Sequence, residues 1–254
     1  MQWQGLCLDT PGSHFMTRSQ LAQVPTPPST DTYVGVPFSE FAELVREKAT
    51  ERTGLPILDE AYGIARKGQH FFGAITMDTG ESTQNMMLGL RGSHDKSMAL
   101  AVATGSKVFV CSNMCISGDA VVVMRRHPKN VRATIDETID EAIDRARGSY
   151  DDLLFQIHQM ESIPMSEQDG YSLLGRMQGY TLLSPRQATV AYHDWRTPRH
   201  EEFSPRNAWS LYNCVTEGLK KTPVGGLMDR HTDAHAFMEA DLQLRKRPLP
   251  VAVG

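Results

Sequence analysis

The chain has 254 residues, 40% of them hydrophobic and 22% charged, with a formal net charge of -4. That balance excludes a disordered chain and a polycation whose whole surface attracts nucleic acid, so any phosphate binding must come from a local basic patch. No run of about 18 apolar residues is present, which excludes a membrane-spanning helix.

The first residues, MQWQGLCLDTPGSHFMTRSQ, lack a basic start followed by an apolar stretch, so no signal peptide is expected. Four cysteines, Cys7, Cys111, Cys115 and Cys214, are too few for a disulfide scaffold at this length. A cytoplasmic protein with reduced thiols is expected.

Residues 1–36 read as a flexible N-terminal segment. QVPTPPSTDTYVGVP has no apolar period, and Pro25, Pro27 and Pro28 exclude a regular helix or a central strand. A helix follows over Ser39–Arg52, with Ser39 as N-cap, Phe41, Leu44 and Val45 on one face, and Gly54 and Pro56 ending it.

From Leu58 to about His127 the pattern is that of strands. LDEAYGIA and HFFGAITMD flank Arg66-Lys67-Gly68-Gln69, a hairpin turn. ALAVAT and KVFVCSN flank Gly105-Ser106, read as a second hairpin turn, and Ser117-Gly118 is a third turn signal. Loops this short join antiparallel neighbours. Thr134 and Glu137 have capping-box spacing, and Ile135, Ile139, Ile143, Ala146, Tyr150, Leu153, Ile157 and Met160 form one stripe of a helix of about 25 residues. That helix is expected to cover the sheet.

The last third reads as shorter helices. Ser184-Pro185 and Ser204-Pro205 are N-cap and first-turn signals, Gly225-Gly226 break the chain, and a final helix spans Asp233 to Leu244. The expected fold class is α+β: an antiparallel meander covered by a long helix, then a helical C-terminal region. The expected units are 1–36, an α+β core over 37–165, and 166–254 packed on that core.

Several groups carry chemistry. In GSHDKS, His94 and Asp95 could orient a proton-transfer base and Lys96 could hold a phosphate. The same residues serve equally as a turn, and adjacent strand positions point to opposite faces. Cys111 and Cys115 are one four-apart pair without a second, so no metal site and no cofactor are expected. Arg125, Arg126, His127, Lys129 and Arg132 form a local positive segment with no acid between Asp119 and Asp136, suited to phosphates. Phe71 and Phe72 lie beside Arg66, Lys67 and His70; they are core residues or a stacking platform for bases. His193-Asp194-Trp195 and DRHTDAH, with His231 and His235 four apart, read as surface or capping groups.

LGLRGSHDKSMALAVATGSKVFVCSNMCISGD followed by RRH resembles the signature of the phage- and plasmid-like proteins known as domain of unknown function 932. WSLYNCVTEGLKK followed by DRHTDAH is similar to that family's second block, with Asn213, Thr216 and Glu217 at its centre. Gly92 and Ser112 depart from it, where an asparagine and an acid are expected. The resemblance implies a phage or plasmid setting, in the cytoplasm of a host cell, and no particular activity. The order of elements is also similar to the core of single-strand annealing recombinases, which form rings or filaments and hold single-stranded DNA in a basic groove.

The expectation is a nucleic-acid-binding protein without catalytic turnover, with single-stranded DNA and further copies of itself as partners and no membrane. Arg125, Arg126, Lys129 and Arg132 would hold phosphates, Lys67, Arg91 and Lys96 would extend the track, and Phe72 would stack bases. The alternatives are a metal-assisted enzyme using GSHDKS and CSNMC, and a phage interaction protein that inhibits a host defence or builds particles.

Overall fold

The computed structural model describes residues 12–30, 34–80, 84–108, 114–116, 121–124 and 131–245. The class is α+β, as expected. Among the described residues, seven strands form one antiparallel sheet: β1 (Ser13–Met16), β2 (Ile57–Ala65), β3 (His70–Met77), β4 (Gln84–Ser93), β5 (Leu100–Val108), β6 (Met114–Ile116) and β7 (Val121–Met124). The first six lie side by side in chain order. β6 and β7 share the free edge of β5, β6 opposite Gly105–Lys107 and β7 opposite Leu100–Val102.

Among the described residues, seven α-helices accompany the sheet: α1 (Arg18–Leu21), α2 (Phe38–Thr53), α3 (Val131–Ser162), α4 (Glu167–Gly179), α5 (Pro185–Arg196), α6 (Ala208–Leu219) and α7 (Val224–Leu242). No helix among the described residues is long and apolar enough to cross a membrane.

The β2–β3 hairpin turns at residues 66–69, where the sequence places it. Gly105-Ser106 behaves otherwise. β5 runs straight through it, with Gly105 paired to Met87 on one side and Ile116 on the other. Ser106 donates to Gln84 across the sheet at 2.9 Å. A Gly-Ser pair prefers a turn only weakly, and two flanking ladders of hydrogen bonds override that preference.

Part of the segment read as flexible is also ordered. β1 pairs with β2, from Ser13 opposite Ala65 to Met16 opposite Tyr62. Thr17 then caps α1 in a capping box with Gln20, and Leu21 is buried. A four-residue strand and a four-residue helix are too short to show a period.

The helix starts also move. α2 begins at Phe38, with Pro37 rather than Ser39 at the cap position. α3 begins at Val131, so Thr134 and Glu137 lie inside it. Asn207, not Ser204, caps α6, accepting from the Ser210 N–H at 2.8 Å. α7 includes Gly225-Gly226 in its first turn instead of breaking there. Ser184 caps α5 with proline in the first turn, as read.

Both faces of the sheet are covered, and this decides the fate of Phe71 and Phe72. One face carries Tyr62, Ile64, Phe71, Ile75, Leu88, Leu90 and Val102 against α2 and the first half of α3. The other carries Ala61, Phe72, Ala74, Met87, Ala101 and Ala103 against Leu227 and Met228 of α7. Adjacent residues face opposite sides, yet both phenylalanines are 0% exposed. Phe72 is therefore a core residue and is not placed to stack on a base.

The second half of α3, through Leu153, Ile157 and Met160, belongs to another core with α4, α5, α6 and the end of α7. Asp140 and Asp144 lie off the stripe and meet Lys48 and Arg52 of α2. At 32 residues, α3 is about 48 Å long.

Candidate functional site: a groove between two turns and a helix start

The β2–β3 turn and the turn after β4 lie side by side. The His94 N–H donates to the Gln69 carbonyl at 2.8 Å and ties them together. Beside them begins α7. The space among the three is an open groove of ≈ 770 Å³, lined by His14, Arg66, Lys67, His70, Ser97, Met98, Gly225, Gly226 and Asp229 among others.

Asp95 holds together two groove-lining residues, His70 and Ser97. His70 Nε2 lies 2.9 Å from Asp95 Oδ2. The Ser97 N–H and hydroxyl donate to Asp95 Oδ1 at 3.0 and 2.5 Å. Desolvation opposes ionisation of this carboxyl, but the hydrogen bonds from Ser97, His70 and Ser93 outweigh it and hold it well below the usual carboxylate range. An ionised carboxylate only accepts, so His70 Nε2 carries the hydrogen.

Ser97 Oγ also lies 3.0 Å from the same Nε2. A serine–histidine–acid relay needs the acid on one ring nitrogen and the hydroxyl on the other. Here both address one nitrogen, and the serine proton goes to Asp95. The cluster fixes the two turns; it is not built to activate a nucleophile.

The other ring nitrogen of His70 faces α7. A Cβ added at Gly225 would lie 2.6 Å from His70 Nδ1, so glycine lets the helix start this close. Asp229, one turn on, pairs with Arg91 of β4. Arg91 is thus committed to the helix and withdrawn from the phosphate track in which the sequence places it.

His94 does not face the groove. The residue is 4% exposed and its ring stacks on Phe38 at 3.8 Å between centroids, 6° from parallel. Its Nε2 donates to the Val36 carbonyl at 3.0 Å. His94 is a core residue, a correction to its reading as a polar site group.

Burial pushes the His94 pKa below the ordinary 6.5, against the opposing pull of the Val36 carbonyl. The unfolded chain therefore takes up a proton near pH 6.5 that the folded chain refuses. Stability should fall as pH drops below that value, until the folded ring itself protonates. A His94→Phe variant, which keeps a ring on Phe38, should lose this share of the dependence; urea midpoints at neutral and mildly acidic pH measure it. Equal slopes for the two proteins would refute it.

The exposed tips of the two turns are cationic. Arg66 and Lys67 stand at the hairpin tip and Lys96 at the neighbouring tip. All three hold left-handed backbone, with φ of 50°, 56° and 65°. Such geometry costs a non-glycine residue roughly 1–2 kcal/mol. Arg66 lies 3.9 Å from Asp95 and its side chain is 69% exposed. Lys67 makes no ion pair among the described residues.

Arg125, Arg126 and Lys129 lie outside the described residues, as do Cys7 and Cys111. Arg132 stands in the first turn of α3. The chain leaves β7 at Met124, which pairs with Leu100, two residues beyond Met98 of the groove. Cys115 pairs with Ser106 in the sheet. Among the described residues, no group of three or more His, Cys, Asp or Glu is placed to hold a metal.

The WSLYNCVTEGLKK part of the second block packs in the helical core. Asn213 donates to the Trp209 carbonyl, and Glu217 pairs with Arg199 and Lys220 at 2.8 and 2.6 Å. Burial pushes the Cys214 thiol up to about 12, which makes it inert. Asp194, read with His193 as a surface group, is 5% exposed and lies 2.7 Å from Arg199. His231 and His235, read likewise, are each 1% exposed; His235 meets Gln156 of α3 at 2.8 Å.

The groove thus joins the first block to the start of α7, which carries DRHTDAH. A model of the family described as Domain of unknown function (DUF932) matches residues 29–238. The chain belongs to this family. No curated protein and no solved structure matches the chain. The DUF932 match includes all three walls of the groove and leaves out only His14 among the lining residues named above.

Proposed function

We propose that this DUF932 protein binds nucleic acid, single-stranded DNA in preference to duplex, by holding backbone phosphates along the groove. One observation carries the reading: three cations occupy left-handed positions at two adjacent turns, Arg66 and Lys67 lining the groove and Lys96 next in sequence to the groove-lining Ser97. Those positions favour glycine or asparagine, so long cationic side chains there suggest selection for what they touch.

The start of α7 adds the positive end of a helix dipole on the same side. The carboxylates in and beside the groove are engaged, Asp95 by His70 and Ser97, Asp229 by Arg91. Nearby Met124 leads into Arg125, Arg126 and Lys129, which extend the track in this reading. Annealing of complementary strands is the activity it points toward, in the phage or plasmid setting of the resemblance.

The test is binding of the purified protein to a labelled single strand across a salt series, beside a duplex of the same sequence. Single-strand affinity should fall steeply with salt, by about 0.7 in log–log slope for each phosphate held. Arg125→Ala with Arg126→Ala should flatten the slope by about 1.4. No binding at low salt would remove the proposal, and an unchanged slope in the double variant would remove the basic segment from it.

A further inference from the structure

A second groove lies on the opposite side of the sheet, between α2 and the start of α3. It has a volume of ≈ 450 Å³ and is lined by Val36, Phe41, Leu44 and Ile135 and by four carboxylates, Glu40, Glu43, Glu47 and Asp136, with no cation among them. Glu43 is shared between Arg18 and Arg46, and Asp136 lies 3.8 Å from Lys48. Glu40 and Glu47 are exposed, and Glu47 has no ion pair among the described residues. An apolar floor with an acidic rim fits a segment that is basic and apolar together.

The chain contains such a segment. Arg245-Lys246-Arg247 is followed by Pro248-Leu249-Pro250-Val251-Ala252-Val253. Its two prolines remove backbone donors and make it a poor strand but a stiff groove ligand. Its position is fixed at one point: the Arg245 N–H donates to Gln159 Oε1 at 3.0 Å, and Gln159 Nε2 donates to the Arg245 carbonyl at 2.7 Å.

That point is the far end of α3. From Asp136 to Gln159 along the helix is about 35 Å. From Arg245 to Arg247 a fully extended chain spans about 7 Å. The basic triplet therefore cannot reach the acidic groove of its own molecule.

We propose that the groove receives the Arg245-Lys246-Arg247 segment of a second copy, with Leu249 and Val251 on its apolar floor. The two surfaces differ and stand at opposite ends of one helix, so the contact is head-to-tail. Such contacts propagate into a ring or a filament rather than closing as a two-fold dimer. This inference is independent of the phosphate groove.

The test is the molar mass of the full chain in solution, by light scattering at roughly 100 μM, a concentration that reports even weak self-association. Glu40→Lys with Glu47→Lys should reduce the assembly to monomer. Lys246→Glu with Arg247→Glu should do the same. Mixing the two variants should restore assembly, because each then offers a groove matching the other's segment. A monomeric wild-type chain, a mass unaffected by the tail variant, or a mixture that stays monomeric would each overturn the proposal.

Discussion

Arg66→Gly combined with Lys67→Gly should weaken single-strand binding about 10- to 100-fold at low salt while leaving the fold as stable as before, or slightly more so. Both residues hold positive φ, 50° and 56°, in a turn continued by Gly68 at 87°. Glycine relieves a strain of roughly 1–2 kcal/mol per residue and loses about 0.5–1 kcal/mol of that to the greater freedom of the unfolded chain. The turn is thus preserved and two charges are lost. Binding titrations and a urea denaturation series on the same variant read the two effects separately. If stability and affinity fell together, the side chains would be shaping the turn; if neither changed, the groove would not be where phosphates sit.

The second large effect falls on Phe72. Phe72→Ala should cost about 3–5 kcal/mol of stability, the usual range for emptying a fully buried phenylalanine site. Four members of that core, Ala61, Ala74, Ala101 and Ala103, are too small to move in and fill the space, which leaves Met87, Ile116, Leu227 and Met228 to relax only part of the way. A base-stacking Phe72 would show the reverse, intact stability with weakened binding. The urea midpoint beside an oligonucleotide titration separates the two.

Phe72 also shows where sequence reasoning stops. The alternation Phe71-Phe72 says that one ring faces each side of the sheet. It does not say that α7, more than 150 positions later, covers the second side. Elements with a local cause were readable: the Arg66–Gln69 turn, the apolar stripe of α3 and the Ser184 cap of α5. Elements decided by neighbours were not. Gly105-Ser106 stays extended because strands flank it on both sides, and His94 is buried because Phe38 meets its ring.

The groove was half legible. GSHDKS stands out as polar residues crowded at a strand end, and Lys67 lines the groove. Nothing in that stretch points to Gly225 or to Asp229, which joins Arg91 across 138 positions. Gly225-Gly226 carried the one available signal, two glycines before an amphipathic run, and it reads more naturally as a break. Only the overlap a Cβ would make with His70 shows why the glycine is there.

The shared helix has a consequence for how the molecule comes apart. Ile139 and Ile143 of α3 sit in the sheet's core, and Ile157 and Met160 sit in the helical one. Breaking α3 at its middle would cost helix nucleation afresh in whichever half survived. The two cores should therefore melt as one cooperative unit, although their sequences lie largely in different halves of the chain. Free energy gained by a ligand at one end is then felt throughout. A strand of DNA held at Arg66 and Lys67 would slow the opening of α5 and α6, which it never touches.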